Sequence, residues 1–312
     1  MSRWAPLRVV LALIGDARTA RDKVWVALYF TSRLRIFGVP ALAALRPRPR
    51  LLRWRSAPTP LSVSVESGGL SAWYETSILQ VYAPERQFVP QQGWTVVDVG
   101  ANIGAFSVWA AANMGSSGRL LAIEPNPVSF RELRRSLDEL TVDAAAFAVA
   151  CGDVEGEVTL HFQPGYTVSS SLTSFAAGTE SATVPMRRLD ALLGETGISH
   201  VDLLKIDVEG AEELVLRGAG EALSRIDRVV LETTHDDIGR GVRAVMDGSG
   251  FTLVHDESRH WAIAGLELLA FERSAGPALG IGGGTARDPV DPDGQDGEAD
   301  RSEQHDQPEG HG

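Results

Sequence analysis

Residues 95–104, with the sequence TVVDVGANIG, combine residue types that could bind a nucleotide. A short β-branched run contains Asp98, glycines follow at Gly100 and Gly104, and a helix-forming run occupies residues 105–114. Glycine at a strand end lets a ligand approach the backbone, and the free N–H groups at the next helix start face that ligand. The stretch therefore predicts a strand–loop–helix that cradles a nucleotide.

The spacing within this stretch distinguishes between classes of nucleotide. Three residues separate Gly100 from Gly104, a spacing that does not occur in the GxGxxG pattern of dinucleotide-binding proteins. The carboxylate of Asp98 would repel a pyrophosphate, whereas it suits a ligand with a cationic amine. These features favour S-adenosylmethionine over NAD.

Two further acids follow predicted strands at the same edge of the sheet. Glu124 ends the second predicted strand, RLLAIEP, 20 residues after Gly104. An acid at this position can accept hydrogen bonds from a ribose diol. Asp153 follows the third predicted strand, where it could accept a hydrogen bond from the adenine amine or serve as a plain turn residue.

The segment LLKIDVEGAE, residues 203–212, places three charged residues at the end of a buried strand. Alternation along the strand puts Lys205, Asp207 and Glu209 on one side, facing the crevice. The acids could belong to the site, or Lys205 and Asp207 could form an internal ion pair that orders the loop. His235, just past the fifth predicted strand, is a candidate general base.

Strands alternate with helical runs from residue 95 onward. The predicted strands are residues 95–99, 119–124, 143–151, 201–207, 228–233, 251–256 and 266–272. Helices between strands imply right-handed crossovers and a mostly parallel sheet covered on both faces. The last two strands have no clear helix between them and should form an antiparallel edge pair. A β insertion is expected after the third strand, between Gly152 and Pro185.

Four motifs in order, VVDVGANIG, IEPNP, LLKIDVEGAE and VVLETTH, resemble the FkbM-type S-adenosylmethionine-dependent methyltransferases. The resemblance covers about residues 96–235. It implies an α/β, Rossmann-like class I methyltransferase fold with a seven-stranded sheet. It also implies O-methylation of a hydroxyl on a small molecule or glycan, such as a sugar, a polyketide or a lipid-linked acceptor.

The same resemblance assigns roles to the motif residues. It places Asp98, Gly100, Asn102 and Gly104 at the methionine end of the cofactor, Glu124 at the ribose, and Asp207 and Glu209 by the methyl group. The predicted cofactor-binding set is Asp98, Gly100, Ala101, Asn102, Gly104, Glu124, Pro125, Asn126, Asp153 and Asp207. The predicted catalytic set is Asp207, Glu209 and His235, with no metal ligand.

Three alternatives stay open from the sequence. Acids and a histidine, namely Asp207, Glu209, Glu232 and His235, could collect Mg²⁺ to polarise the acceptor hydroxyl, although the sequence shows no geometry for it. The chain could instead be an NAD-dependent oxidoreductase on a similar fold. It could also be a non-catalytic module that keeps the cofactor pocket.

Charge is spread unevenly along the 312 residues, whose formal net charge is −12. Residues 1–60 carry twelve Lys or Arg against Asp16 and Asp22, a net charge of +10, so the remainder sums to −22. An acidic body disfavours nucleic acid as a partner, because it repels the phosphate backbone. Cys151 is the single cysteine, so no intrachain disulfide can form, which permits the expected cytoplasmic location.

Composition predicts three segments. Residues 1–57 form a basic N-terminal extension and linker, 58–274 the methyltransferase domain, and 275–312 an acidic, disordered tail. The extension should be helical and pack on the catalytic body. A second hypothesis is peripheral membrane contact through its Arg and Trp residues, and a third, less favoured, is a cleaved signal.

Overall fold

The computed structural model describes residues 5–33, 50–57, 59–63, 69–163, 166–171, 180–233, 236–259 and 266–274. Met1–Ser274 form one compact unit. The predicted acidic tail, residues 275–312, lies outside the described residues, as does His235. No helix within the described ranges is both long and apolar enough to cross a membrane.

The elements before the large sheet are α1 (Ala5–Asp16), α2 (Ala20–Arg33), β1 (Arg50–Leu52), β2 (Leu61–Val63) and α3 (Gly69–Trp73). The following elements are β3 (Thr95–Val99), α4 (Ala105–Met114), β4 (Arg119–Ile123), α5 (Pro127–Leu137), β5 (Asp143–Phe147), β6 (Ala150–Gly152), β7 (Gly156–Gln163), β8 (Tyr166–Ser171) and β9 (Glu180–Arg188). The last are α6 (Leu189–Glu195), β10 (Leu203–Ile206), α7 (Glu212–Ala219), β11 (Arg228–Thr233), α8 (Asp236–Gly248), β12 (Phe251–Arg259) and β13 (Leu266–Arg273).

The large sheet has seven strands in the order β12-β13-β11-β10-β3-β4-β5. Strands β3, β4, β5, β10 and β11 run parallel, whereas β13 is antiparallel to both β11 and β12. The predicted seven-stranded, mostly parallel sheet with an antiparallel edge pair is confirmed. The chain leaves β3 toward β4 on one side and later adds β10 on the other. This creates a switch point between β3 and β10.

The β insertion after the third strand is confirmed, but the extent predicted for that strand, residues 143–151, is wrong. Strand β5 ends at Phe147, and Ala150–Gly152 pair with β9 in a second sheet of order β6-β9-β7-β8. The run AAAFAVAC is apolar throughout. A continuous apolar run gives no periodicity signal for the point where the chain changes sheets.

Alternate side chains of the central strands pack on opposite faces of the sheet, as the two-residue period of a strand requires. On one face, Val97 and Leu204 join the apolar side chains of α6, α7 and α8. On the other, Val96 and Leu203 join those of α4 and α5. Helices therefore cover both faces, as predicted, and the strand ends stay open between them.

The N-terminal arm, defined here as α1, α2 and β1, shares a third hydrophobic core with the start of α4. Leu13, Trp25 and Trp54 are buried there together with Trp73 and Ile103. The rings of Trp54 and Trp73 stack with their centroids 5.2 Å apart. The boundary near residue 57 stays a prediction, while the shared core shows that the arm packs against α4 just behind the 100–104 loop.

Candidate active site

A pocket lies at the carboxyl ends of β3, β4 and β10, beside the switch point. Its empty volume is about 610 Å³, part of it open to solvent. The loops after these strands form most of the wall, and β6 and β7 of the second sheet add to it. The lining residues are Val99, Gly100, Asn102, Ile123, Glu124, Pro125, Val149, Ala150, Cys151, Leu160, Asp207, Val208, Glu209 and Ala211.

The loop after β3 is held in an unusual backbone conformation. Gly100, Asn102 and Gly104 have positive φ angles of 77°, 50° and 91°. The backbone N–H of Gly100 donates to the carbonyl of Ile123 at 2.9 Å. A Cβ on Gly100 would lie 1.8 Å from the carbonyl oxygen of Asp207. Glycine is therefore required at this position because the loops after β3 and β10 touch. This requirement is separate from the space that a ligand would need near the backbone.

Alanine at Gly100 should destabilise the protein by more than about 2 kcal/mol, because it adds a steric clash to an unfavourable φ. The loop must also move, so affinity for S-adenosylhomocysteine should fall. Denaturant unfolding and calorimetric titration measure the two effects. Gly194→Ala in α6 is the matched control, since nothing lies within 4 Å of its Cβ position. The steric argument fails if both variants unfold alike.

Glu124 is a buried acid whose carboxylate is already organised by the backbone. One oxygen accepts the N–H of Asn102 and the other accepts that of Asn126, both at 2.8 Å. Desolvation by burial raises the pKa of Glu124 to about 7, despite these hydrogen bonds. Each oxygen keeps a further lone pair, and Glu124 lines the pocket, so it can accept from a diol.

The side-chain amide of Asn102 contains a buried acceptor next to the pocket. Its Oδ1 atom is buried and has no hydrogen-bond partner among the described residues. A buried acceptor without a partner costs free energy until a donor arrives. Asn102 also lines the pocket. An ammonium group of a ligand would satisfy this oxygen.

Lys205 is a buried cation that joins β10 to the loop after β3. Its Nζ lies 3.1 Å from an oxygen of Asp98 and 3.7 Å from one of Asp207, and it donates to the carbonyl of Gly100 at 2.8 Å. Nearby carboxylates, Asp98 first among them, raise the pKa of Lys205 although burial opposes this. The hydroxyl of Ser107 donates to the second oxygen of Asp98 at 2.7 Å. Asp98 is fully buried and does not line the pocket, so direct contact with a ligand ammonium stays a prediction.

Asp207 does line the pocket, and it has a partner that the sequence did not indicate. The hydroxyl of Tyr82 donates to a carboxylate oxygen of Asp207 at 2.8 Å. Burial, and then the charge of Asp207, raise the pKa of Tyr82 well above its ordinary value. Tyr82 therefore stays a neutral donor, and the Asp207 side chain lies between Tyr82 and Lys205. Tyr82 belongs to a segment without motif or periodicity, so only the folded geometry reveals it.

Two glutamates follow Asp207 in the same loop. Burial, with repulsion from Asp207 next, raises the pKa of Glu209 to about 8. Glu209 lines the pocket and has a positive φ of 54°. Burial raises the pKa of Glu212 to about 7, and its Oε2 atom has no partner among the described residues. Glu212 is the last residue of the motif LLKIDVEGAE, but no role was predicted for it from the sequence.

The remaining predicted site residues divide into two groups. Pro125 lines the pocket. Ala101, Gly104, Asn126 and Asp153 do not, and each has a structural contact instead; the Ala101 N–H donates to the carbonyl of Ile123 at 3.0 Å. Gly104 packs on Leu133, Asn126 caps α5 through Val128 N–H, and the Asp153 carbonyl accepts from Arg188. Asp153 was the predicted acceptor for the adenine amine. In the structure, the pocket wall beyond β5 is formed instead by Val149, Ala150 and Cys151.

One group of side chains in the described part of the chain is arranged closely enough to hold a metal ion. It consists of His200, Asp202 and Asp227. Asp202 and Asp227 directly precede β10 and β11, so the group lies at the sheet edge opposite the pocket. Among the Mg²⁺ candidates, His235 lies outside the described residues. A magnesium site in the pocket stays untested.

The comparison with protein families now decides the class of enzyme. The Methyltransferase FkbM domain matches residues 98–257, just over half of the chain. The chain belongs to the FkbM methyltransferase family. Every pocket-lining residue falls inside this FkbM domain, whereas Tyr82 and the arm precede it. The predicted S-adenosylmethionine-dependent methyltransferase activity is thereby confirmed as the enzyme class.

Three relatives resemble this FkbM methyltransferase. The 31-O-demethyl-FK506 methyltransferase FkbM of Streptomyces tacrolimicus is 31% identical over 216 residues, 59% of this chain and 82% of that protein. The AMB antimetabolite synthetase AmbE of Pseudomonas aeruginosa is 29% identical over 201 residues, 53% of this chain but 9% of that protein. The 2-O-methyltransferase NoeI of Sinorhizobium fredii is 24% identical over 190 residues, 55% of this chain and 77% of that protein.

The residues of this FkbM methyltransferase pocket fit S-adenosylmethionine. The unsatisfied oxygen of Asn102 suits the ammonium group, and the oriented carboxylate of Glu124 suits the ribose hydroxyls. The apolar wall formed by Val149, Ala150 and Leu160 suits an adenine ring. The fit rests on donor, acceptor and apolar character at the pocket surface.

Proposed function

We propose that the protein transfers a methyl group to a hydroxyl of a small molecule or glycan, with Glu209 as the proton acceptor. The observation that carries the proposal is the pair of pocket carboxylates, Asp207 and Glu209, which differ in their electrostatic surroundings. Two relatives add support, since their names specify a 31-O-demethyl substrate and 2-O-methylation.

The chain's own residues would organise the cofactor before the reaction. S-adenosylmethionine supplies an electrophilic methyl group on a sulfonium, so the protein need not activate it further. Asn102 and Glu124 would bind its two polar ends, as their free acceptor positions allow. Asp98 would act indirectly, because Lys205 and Ser107 hold it beneath the loop. The protein's main contributions are position and removal of the acceptor proton.

Asp207 and Glu209 would have separate roles. Asp207 receives a hydrogen bond from Tyr82 at 2.8 Å, and one of its oxygens lies 3.7 Å from the Lys205 ammonium. Its oxygens are thus already engaged by Tyr82 and Lys205, which suits a positioning role. Glu209 has a pKa raised to about 8, which matches it to accept a proton near neutral pH. His235 stays an alternative base, outside the described residues.

Cofactor affinity should depend on pH because two pocket carboxyl groups titrate near neutrality. The pKa values of Glu124 and Glu209 are raised to about 7 and about 8, so both groups gain negative charge as pH rises from 6 to 9. Affinity for S-adenosylmethionine should therefore increase over that range. S-adenosylhomocysteine lacks the sulfonium charge, so its affinity should increase less. We expect the two increases to differ by roughly 3–10-fold.

Calorimetric titration of both ligands across this pH range gives the ratio of the two dissociation constants. In Glu209→Gln only Glu124 still titrates, so the ratio should become nearly independent of pH above about 8. Glu139→Gln, at an exposed position after α5, should leave the wild-type dependence unchanged. A flat ratio in the wild-type protein contradicts the electrostatic account.

The acceptor class is tested by transfer of a labelled methyl group. Purified protein and labelled S-adenosylmethionine are incubated with a fractionated metabolite and glycolipid extract, and products are identified by mass analysis. We expect a product heavier by one methylene, with the new methyl on oxygen. A product methylated on nitrogen or carbon would refute the hydroxyl acceptor while leaving the family assignment intact.

Cytoplasmic location stays a prediction.

A further inference from the structure

The N-terminal arm presents apolar side chains to solvent. Leu11 on α1 is 58% exposed and Val24 on α2 is 59% exposed. They are the two most exposed large apolar side chains within the ranges that the structure describes. On the opposite faces of the same helices, Leu13, Trp25 and Val26 are buried in the core shared with α4. The outward apolar residues therefore do not belong to the core that packs the arm against α4.

Leu11 and Val24 each have a basic neighbour on the same helix face. Arg8 precedes Leu11 by three residues, and Arg21 precedes Val24 by three, so each pair lies side by side on its helix. Arg8 and Arg21 are exposed, as is Arg18 in the turn between the helices. The same combination of an apolar and a cationic side chain thus occurs on both helices.

The two acids of the arm do not offset these charges at the surface. Asp22 is fully buried, accepts from the hydroxyl of Thr19 at 2.6 Å and lies 3.3 Å from Arg50. Asp16 accepts the Ser56 N–H at 2.9 Å and the Trp73 indole N–H at 3.2 Å. Both carboxylates are used for internal contacts. Among the described residues of the arm itself, the exposed charged side chains of α1 and of the turn that follows it are therefore basic.

The exposed basic surface continues from the helix turn onto the segment after β1. The Arg18 N–H donates to the carbonyl of Arg53 at 2.8 Å, and the Arg55 N–H donates to that of Asp16 at 2.8 Å. Both Arg53 and Arg55 are exposed. These backbone contacts hold three arginines close together around the turn.

We propose that this outward face, comprising Leu11, Val24, Arg8, Arg18 and Arg21, docks on an anionic phospholipid surface. Basic side chains are attracted to the lipid headgroups, and apolar side chains enter the boundary with the acyl chains. An acidic protein or a nucleic acid would match the charges but would leave Leu11 and Val24 unexplained. The inference does not depend on the proposed acceptor.

The charge distribution of the whole chain gives this docking a direction. Residues 1–60 sum to +10, whereas the remainder sums to −22. An anionic membrane attracts the first part and repels the second, so the molecule should orient with the arm toward the lipid. An uncharged membrane would provide neither force.

The test is co-sedimentation of the full-length protein with vesicles. One set contains equal parts of phosphatidylglycerol and phosphatidylcholine, and the other contains phosphatidylcholine alone. We expect binding to the anionic set only, weakened when salt is raised from about 0.05 to about 0.5 M. The triple variant Arg8→Gln/Arg18→Gln/Arg21→Gln should lower the partition coefficient about 100-fold, because each lost charge lowers it roughly 5-fold. Leu11→Ser/Val24→Ser should lower it about 10-fold or more.

Matched controls separate the face from general charge and hydrophobicity. Arg134→Gln/Arg135→Gln on α5 and Leu253→Ser on β12 alter exposed residues elsewhere and should bind like wild type. Unchanged S-adenosylhomocysteine affinity shows that each variant is folded. Equal binding by the arm variants and these controls would overturn the proposal. Binding that survives loss of both apolar side chains would also overturn it, because a purely ionic contact with another anionic partner would then explain the arm.

Discussion

Methionine in place of Lys205 should lower the free energy of unfolding by about 3–5 kcal/mol, the cost typical of breaking a buried ion pair. Lys205 is almost completely buried, and its ammonium lies 3.1 Å from the fully buried carboxylate of Asp98. Without the cation, Asp98 would remain charged in a low-dielectric interior, or would have to take up a proton. The carbonyl of Gly100 would also lose the hydrogen bond that Lys205 donates.

Urea unfolding at neutral pH measures this cost, and a second variant isolates its cause. Asp98→Asn/Lys205→Met should recover most of the lost stability, because no uncompensated charge is then buried. Lys23→Met, at the only other lysine, controls for the substitution itself and should change stability by less than about 0.5 kcal/mol. If the double variant is as unstable as Lys205→Met alone, the ion pair is not the reason.

Glutamine in place of Glu209 should reduce kcat by about 10²–10⁴-fold, the range expected when a general base is removed. The change preserves shape and removes the group that would accept the acceptor proton. KM for the acceptor should change little, since the loss falls on the transition state. The measurement is S-adenosylhomocysteine release with the acceptor found by the labelling experiment. A drop below about 3-fold would exclude Glu209 as the base and leave His235 as the candidate.

The pH profile of kcat gives an independent check on the same assignment. The charged form of Glu209 grows as pH rises through its pKa of about 8, so kcat should rise and then level off. A bound cation favours the charged form and should lower the observed midpoint. Asp207→Asn removes a negative neighbour, so it should shift the midpoint further down. Tyr82→Phe removes the hydrogen bond that Asp207 accepts, and we expect at most a 10-fold loss in kcat.

The sequence predicted much of the fold because local pattern and tertiary packing agree in this chain. The residues predicted for α4, 105–114, coincide with the helix Ala105–Met114, where a glycine-rich turn leads into small apolar residues. The antiparallel pair β12–β13 also followed from the absence of an intervening helix. The break between β5 and β6 could not be predicted, because the sheet that β6 joins forms only with the later strand β9.

The candidate site was predictable as far as its motifs reach. Asn102, Glu124, Asp207 and Glu209 come together at one pocket because parallel strands end at a common edge. Tyr82 lies 125 residues from its partner Asp207, and no spacing rule connects them. The positive φ of Glu209 and the close approach of Gly100 to Asp207 are likewise products of loop contact. Sequence periodicity carries no information on such contacts.

Cys151 lies in the pocket wall, so the rate at which a thiol reagent reacts with it reports on the pocket. It is the only cysteine, it is buried, and burial raises the pKa of its thiol to about 12. At pH 8 only about one thiol in 10⁴ is ionised, so maleimide reagents should react slowly with the closed protein. A cysteine introduced at exposed Arg134 would then take a fluorophore selectively without removing Cys151. The slow alkylation of Cys151, in turn, would report how often the pocket wall opens and how far a bound ligand suppresses that opening.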